Sequence, residues 1–151
     1  MGDKPKIKKK DKGKIKKEDI EKRSFEFTHI KINYSFITTN KKYSFDNKSC
    51  DDKHRSAFLK RMIEISIMDF LKLSALPKES GFEQIEKKQV SASVDFQPLF
   101  YDNAFRKTSS EKITIFRLYP NNNPIPARFF GKMINKVFYL MGIELEHKLY
   151  K

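Results

Sequence analysis

The feature that most constrains the fold is a pair of apolar segments near the C-terminus with only two residues between them. Residues 127–134 and 137–143 are rich in Phe, Ile, Met, Leu and Val, and Asn135-Lys136 separates them. A two-residue connection that begins with Asn is typical of a tight β-hairpin, because Asn tolerates the left-handed backbone of such turns. The sequence therefore predicts two antiparallel strands here, and the fold must contain a sheet that includes them.

Apolar and polar residues alternate in several other segments, which predicts further strands. These segments are residues 25–36, 43–45, 90–96 and 113–118. A turn is expected at 39–42, and a loop rich in Asn and Pro is expected at 121–124. Residues 98–112 have no regular pattern, and we expect their polar side chains to be exposed.

Helical spacing is found in one part of the chain. Phe58, Met62 and Ile65 lie at i, i+4 and i+7, and an aspartate at 51 or 52 can cap the first turn. Either one long helix or a bent pair that ends before Pro77 fits this pattern, and we favour the pair. The predicted fold class is α+β: a mainly antiparallel sheet with one long or two shorter helices packed on one side.

The first 23 residues differ from the rest of the chain in composition. They contain eleven Lys or Arg, five Asp or Glu, and almost no apolar residues. Such a segment buries too little apolar surface to offset its ordering entropy. We therefore expect a disordered lysine-rich tail at 1–23 and a single α+β domain at 24–151.

The net charge of +13 is shared by the tail and the domain, with +6 in residues 1–23 and +7 in the remainder. A field of this sign attracts phosphate polymers, and we expect nucleic acid, RNA rather than DNA, as the partner. An anionic membrane surface would respond to the same field. Only six of the 32 basic residues are Arg, so AT-rich codon usage is an alternative source of the charge. The tail lysines expected to contact phosphates are Lys8, Lys9, Lys10, Lys16 and Lys17.

Several function classes find no support in the sequence. The single cysteine, Cys50, cannot form an intrachain disulfide, which fits a reducing, cytoplasmic location. With one Cys and three His there is no zinc spacing, and no glycine-rich phosphate loop is present, so we expect neither metal nor cofactor. No apolar run approaches the roughly 20 residues that a membrane span needs.

Residues that could act chemically on RNA gather in the C-terminal part. Metal-free cleavage needs a base for the 2′-OH, cations for the charge on the phosphorane, and an acid for the leaving 5′-oxygen. His147 titrates in the range of an acid or base, Tyr150 could orient a phosphate or donate a proton, and Arg128 could supply charge. These three are the candidate catalytic residues, and we expect them to converge on an exposed sheet face. The expected phosphate-binding residues there are Arg117, Lys132 and Lys148.

This C-terminal part resembles the RelE/YoeB-like mRNA-interferase toxins. The residues that carry the resemblance are Arg117 in ITIFRLY, Arg128 in ARFFG, and the final His147-Lys148-Leu149-Tyr150. The resemblance implies a strand, a helix pair and then an antiparallel sheet with basic residues, together with ribosome-dependent mRNA cleavage and an antitoxin partner. The last residues also resemble the ends of bacterial mobile-element proteins of unassigned activity.

Two other interpretations remain open at this point. A non-catalytic accessory protein of a phage, mobile element or ribonucleoprotein complex would use the same basic tail and face only to bind nucleic acid. A protein-interaction module would instead pair exposed strand edges or an apolar patch with a partner.

Overall fold

The computed structural model describes residues 28–90 and 112–150. The predictions for the tail at 1–23, for the start of the 25–36 strand, and for residues 91–111 and Lys151 lie outside the described residues. Within the described part, helices and strands form the α+β arrangement that the sequence predicts.

The sheet has five strands in the order β1-β5-β4-β3-β2. Their bounds are β1 Lys31–Asn33, β2 Glu83–Glu86, β3 Lys112–Arg117, β4 Arg128–Ile134 and β5 Val137–Glu144. Strands β2 to β5 pair antiparallel, and β1 runs parallel to β5 at one edge. A single 3₁₀ turn, Lys87–Gln89, follows β2.

The β4–β5 hairpin confirms the strongest sequence prediction. Asn135 and Lys136 have φ values of 49° and 63°, which are the two left-handed positions of a type I′ turn. The pairing shifts register between Phe130 and Gly131, where β5 carries one extra residue. The second half of β5 also bonds to a preceding segment of the chain: the Thr38 N–H donates to the Met141 carbonyl at 2.7 Å, and the Ile143 N–H donates to the Tyr43 carbonyl at 2.8 Å.

Two helices lie on one side of the sheet, as the favoured bent pair requires. Helix α1 spans Asp52–Ser66 and α2 spans Phe70–Ala75. The Asp51 carboxylate accepts from the His54 N–H at 3.0 Å and so caps α1. Asp69 caps α2 in the same way, accepting from Leu71 at 2.9 Å. The second helix therefore begins after Asp69.

The sheet is buried on both faces. Met62 and Ile65 of α1 and Leu73 of α2 pack against the phenylalanines of the central strands, namely Phe116, Phe129 and Phe138. The opposite face packs against Tyr43 and Leu149, which come from the 34–50 segment and the C-terminal residues. A sheet covered on both sides explains the long apolar runs of β4 and β5.

Two strand predictions need correction, and one strand was missed. β1 is only three residues long because the Asn33 side chain accepts from the Ser35 N–H at 2.8 Å and turns the chain. Residues 43–45 form turns rather than a strand, since Tyr43 N–H donates to the Asn40 carbonyl at 3.0 Å. β2 was not predicted, because Ile85 is the only apolar residue within its four positions.

Among the helices of the described residues, none has the length and apolar character needed to cross a bilayer.

Candidate functional site

Three charged residues lie side by side across the sheet, at the end where β4 begins. Arg128 is in register with Arg117 of β3 on one side and with Glu144 of β5 on the other. Arg128 is 2% exposed and Glu144 is 3% exposed. Buried charges need partners, so the contacts of this row determine what it can do.

The row is held mainly by backbone groups. Arg128 Nη1 donates to the Pro126 carbonyl at 2.6 Å, and Arg117 Nη1 donates to the Pro120 carbonyl at 3.0 Å. Arg117 Nη2 also lies 3.4 Å from a carboxylate oxygen of Glu79. One polar atom of each row member is buried without a hydrogen-bond partner: Arg117 Nε, Arg128 Nε and Glu144 Oε2. Such orphan groups are costly and concentrate at functional sites more than elsewhere.

Glu144 shapes the C-terminal turn. Its Oε1 accepts from the backbone N–H groups of Glu146 and Lys148, each at 2.8 Å. Between them His147 adopts a left-handed φ of 57° and is exposed to solvent. The Lys148 ammonium donates to Glu146 at 2.8 Å, which raises the pKa of Lys148 and lowers that of Glu146. The carboxylate of Glu144 therefore fixes the turn that presents His147.

Tyr150 connects this turn to the buried row. Its hydroxyl donates to Glu83 Oε1 at 2.5 Å, and its ring centroid lies 5.7 Å from that of His147 in an edge-on arrangement. Burial and the bond to Glu83 raise the pKa of Tyr150, while the neighbouring Arg128 guanidinium opposes the rise. Tyr150 is therefore a protonated donor at neutral pH, in contact with Arg128 on one side and His147 on the other.

The structure brings together the three candidate catalytic residues but not on an exposed sheet face. Arg128 and Lys132 are each 2% exposed, because the 34–50 segment and the C-terminal residues cover that part of the sheet. Arg117 and Lys148 are engaged by Glu79 and Glu146. The expectation of an open cationic face on the last strands is therefore wrong, and His147 is the candidate that remains accessible.

An exposed group of lysines lies beside the C-terminal turn instead. Lys41, Lys42 and Lys48 surround a surface concavity of about 590 Å³, which we call the lysine pocket, together with Asp46 and Asn47. A smaller depression of about 130 Å³ adjoins it, since Lys42 and Asn47 line both, and its other wall includes residues 144–146. Three lysines and one aspartate leave the lysine pocket with a net charge of +2.

Two of the three lysines of this pocket have no acidic partner. Lys41 and Lys48 form no ion pair with any acid of residues 28–90 and 112–150. Lys42 lies 5.4 Å from the centre of the Tyr43 ring, and its charge helps to lower the pKa of Glu146. Sequence reasoning treated 39–42 as a turn and did not predict this site. The signal was present in the cations at 41, 42 and 48, which lie within eight residues of one another.

A second feature that the sequence did not predict is a groove of about 730 Å³ between α1 and the loop after β3. His54 Nδ1 lies 2.9 Å from the Tyr119 hydroxyl, which ties the loop to α1. Cys50 is buried beside them, and burial raises the pKa of its thiol. The groove is lined by charges of both signs, so it offers no field selective for a polyanion.

Within the part of the chain that the structure describes, no three His, Cys, Asp or Glu side chains are grouped as ligands for a metal ion. No protein-family model, curated protein or solved structure matches the chain.

Proposed function

We propose that this protein binds RNA through the lysine pocket and the adjoining C-terminal turn. The observation that carries the proposal is the set of exposed lysines at 41, 42 and 48, concentrated around one concavity whose lining contains a single aspartate. A concave surface of this charge can follow a phosphate backbone and release its counterions.

The turn beside the pocket suits a single-stranded partner. His147 is exposed and its ring is supported edge-on by Tyr150, so a splayed base can stack on it while phosphates occupy the pocket. Unpaired bases are presented by single-stranded RNA and by loops, which is why we propose RNA rather than a continuous duplex. The tail lysines at 8–10, 16 and 17 add affinity that is independent of sequence.

The test is the salt dependence of binding to a fluorescently labelled single-stranded RNA, measured by anisotropy. Replacing Lys41, Lys42 and Lys48 by Gln removes three cations and should reduce the slope of log affinity against log salt by about 2. The matched control replaces three exposed lysines away from the pocket, Lys78, Lys88 and Lys112, by Gln.

The control has the same net charge as the pocket variant. A clear difference between the two variants supports a local site. Equal slopes for both would mean that the protein acts as a diffuse cation, and the proposed pocket would be rejected.

A second function, metal-independent RNA cleavage, is favoured by one specific observation. His147, Tyr150 and Arg128, which the sequence suggested as catalytic, are neighbours in the structure. We propose that His147 removes the 2′-OH proton and that the resulting 2′-oxygen attacks the adjacent phosphorus. The 5′-oxygen leaves with a proton from Tyr150, whose raised pKa keeps it protonated, and Arg128, buried beside Tyr150, stabilises the tyrosinate that remains.

This reaction yields a 2′,3′-cyclic phosphate and a free 5′-OH, and it proceeds in excess chelator. His147→Ala should reduce the rate by about a hundredfold or more, since a general base commonly contributes that much. Tyr34→Phe, at an exposed tyrosine elsewhere, is the control. If the wild-type protein binds RNA but leaves it intact, with or without ribosomes, the non-catalytic accessory function stands. If cleavage occurs and is toxic, we expect a protein antitoxin that covers the turn around His147.

A further inference from the structure

Four large aliphatic side chains are exposed along the outer side of the two helices. Leu59, Ile63, Ile67 and Leu71 follow one another at intervals of four residues and are 53% to 77% exposed. We call this set the apolar ridge. It runs from the middle of α1, across the bend between the helices, into the first turn of α2.

The ridge lies opposite the face by which the helices pack on the sheet. Met62, Ile65 and Leu73 point into the core, whereas the ridge residues are directed to solvent. A surface helix normally carries polar residues at these positions. Isolated exposed aliphatics need no explanation. Leu59, Ile63 and Ile67, however, lie one turn apart along α1 and its C-terminal cap, and Leu71 follows in the first turn of α2. A group of exposed aliphatic side chains of this kind marks an interaction site.

The charges beside the ridge indicate what it contacts. The acids near it are engaged: Asp52 pairs with Arg55 at 3.0 Å, and Glu64 pairs with Arg61 at 3.2 Å. A third acid, at position 69, caps α2 by accepting from the Leu71 N–H at 2.9 Å. Lys60 directly follows Leu59, and a second lysine, at position 72, directly follows Leu71. Neither lysine forms an ion pair with an acid in the described parts of the chain.

Few binding partners can match both an apolar ridge and the free ammonium groups that border it. A second copy of this chain would bring the lysines at 60 and 72 close to those of the first, which opposes association. Nucleic acid would satisfy the cations but leave the aliphatic side chains without apolar contacts. An anionic lipid surface satisfies both, since aliphatic side chains enter the interface while lysine stems extend to the phosphates.

We propose that the apolar ridge docks the protein peripherally on an anionic membrane surface. The ridge shares no residue with the lysine pocket, so this inference is independent of the proposed function. The net charge of +13 would bring the protein to such a surface from a distance, and the ridge would hold it there.

The test is sedimentation of the full-length protein with vesicles made of equal parts phosphatidylglycerol and phosphatidylcholine, at low salt and at about 1 M salt. At the higher salt the Debye length is about 3 Å, so the binding that remains is mainly apolar. The ridge variant Ile63→Gln/Ile67→Gln should lose roughly a hundredfold in partitioning there, about tenfold for each side chain. Tyr34→Gln, at an exposed residue outside the ridge, should change partitioning by less than about twofold.

A charge variant tests whether the two lysines beside the ridge contribute to membrane binding. Lys60→Gln/Lys72→Gln should weaken binding at low salt by about fivefold for each lysine and leave the high-salt component unchanged. The proposal is overturned if the wild-type protein does not sediment with these vesicles. It is also overturned if the ridge variant partitions like wild type at high salt, or if pure phosphatidylcholine vesicles bind equally well. Self-association that the ridge variant abolishes in the absence of lipid would assign the ridge to a second copy instead.

Discussion

The substitution Gly131→Ala tests how closely the two strands of the C-terminal hairpin approach each other. Gly131 lies at the bulge where the β4–β5 register shifts. A Cβ atom built on it would lie 2.0 Å from the Tyr139 carbonyl oxygen and 2.9 Å from the carbonyl carbon. Neither contact is to a flexible side chain, so the strands themselves would have to separate.

The expected loss in the free energy of unfolding follows from a comparison with ordinary overpacking of a core. Extra methyl groups in a packed core cost about 1–3 kcal/mol when side chains can adjust. Here the obstacle is backbone, and relief would break the ladder at the bulge, so we expect a loss of about 3 kcal/mol or more. Gly81→Ala is a matched control, because its Cβ would meet Leu73 and Leu76 at 2.9–3.0 Å. Both changes alter the unfolded chain equally.

The assay is urea unfolding followed by circular dichroism, with the free energy of unfolding taken from each variant. Gly131→Ala should be the less stable of the two by about 2 kcal/mol, because its clash is the closer. It should also weaken the proposed binding of RNA, since β5 leads into the C-terminal turn. If both variants unfold at the same urea concentration, the close approach of β4 and β5 at the bulge is refuted.

Three further predictions concern individual contacts. Tyr150→Phe removes the hydroxyl that donates to Glu83 and should cost about 1 kcal/mol near neutral pH. Because the pKa of Tyr150 is raised in the fold, this contribution is complete below about pH 10, the unfolded pKa, and is lost as the pH rises further, so wild type and variant should converge in alkaline urea melts. The buried Cys50 should react with a thiol reagent at least roughly a hundredfold more slowly in the native protein than in urea, measured as the rate of thiol modification. A double-mutant cycle with His54→Ala and Tyr119→Phe should give a coupling of about 0.5–1.5 kcal/mol in thermal or urea melts, and a coupling near zero would contradict the bond between them.

The parts of the fold that sequence predicted are those with local causes. The Asn135-Lys136 turn and the Asp51 cap each depend on a few neighbouring residues, and both lie where expected. The parallel pairing of β1 could not be predicted from its own residues, because its partner β5 lies about 100 residues further along the chain. The burial of Tyr43 in a turn region was missed for the same reason, since it packs on distant strands.

In the candidate site, too, the features with local causes were predicted and those that depend on distant residues were not. The proximity of His147, Tyr150 and Arg128 follows from the hairpin and the short segment after it, which sequence placed correctly. The burial of Arg128 and Lys132 depends on what covers the sheet, and alternation along a strand does not reveal that both faces are covered. The lysine pocket was missed because its cations come from a loop, where spacing carries no geometric information.

The parallel pairing of β1 with β5 has a consequence for synthesis on the ribosome. About 100 residues separate the end of β1 from the start of β5, which takes roughly 5–20 s to translate. During that interval β1 has no partner strand in the nascent chain. The helices also lack Phe138 of β5, on which they pack. The sheet can therefore be completed only after residues 137–144 have left the exit tunnel.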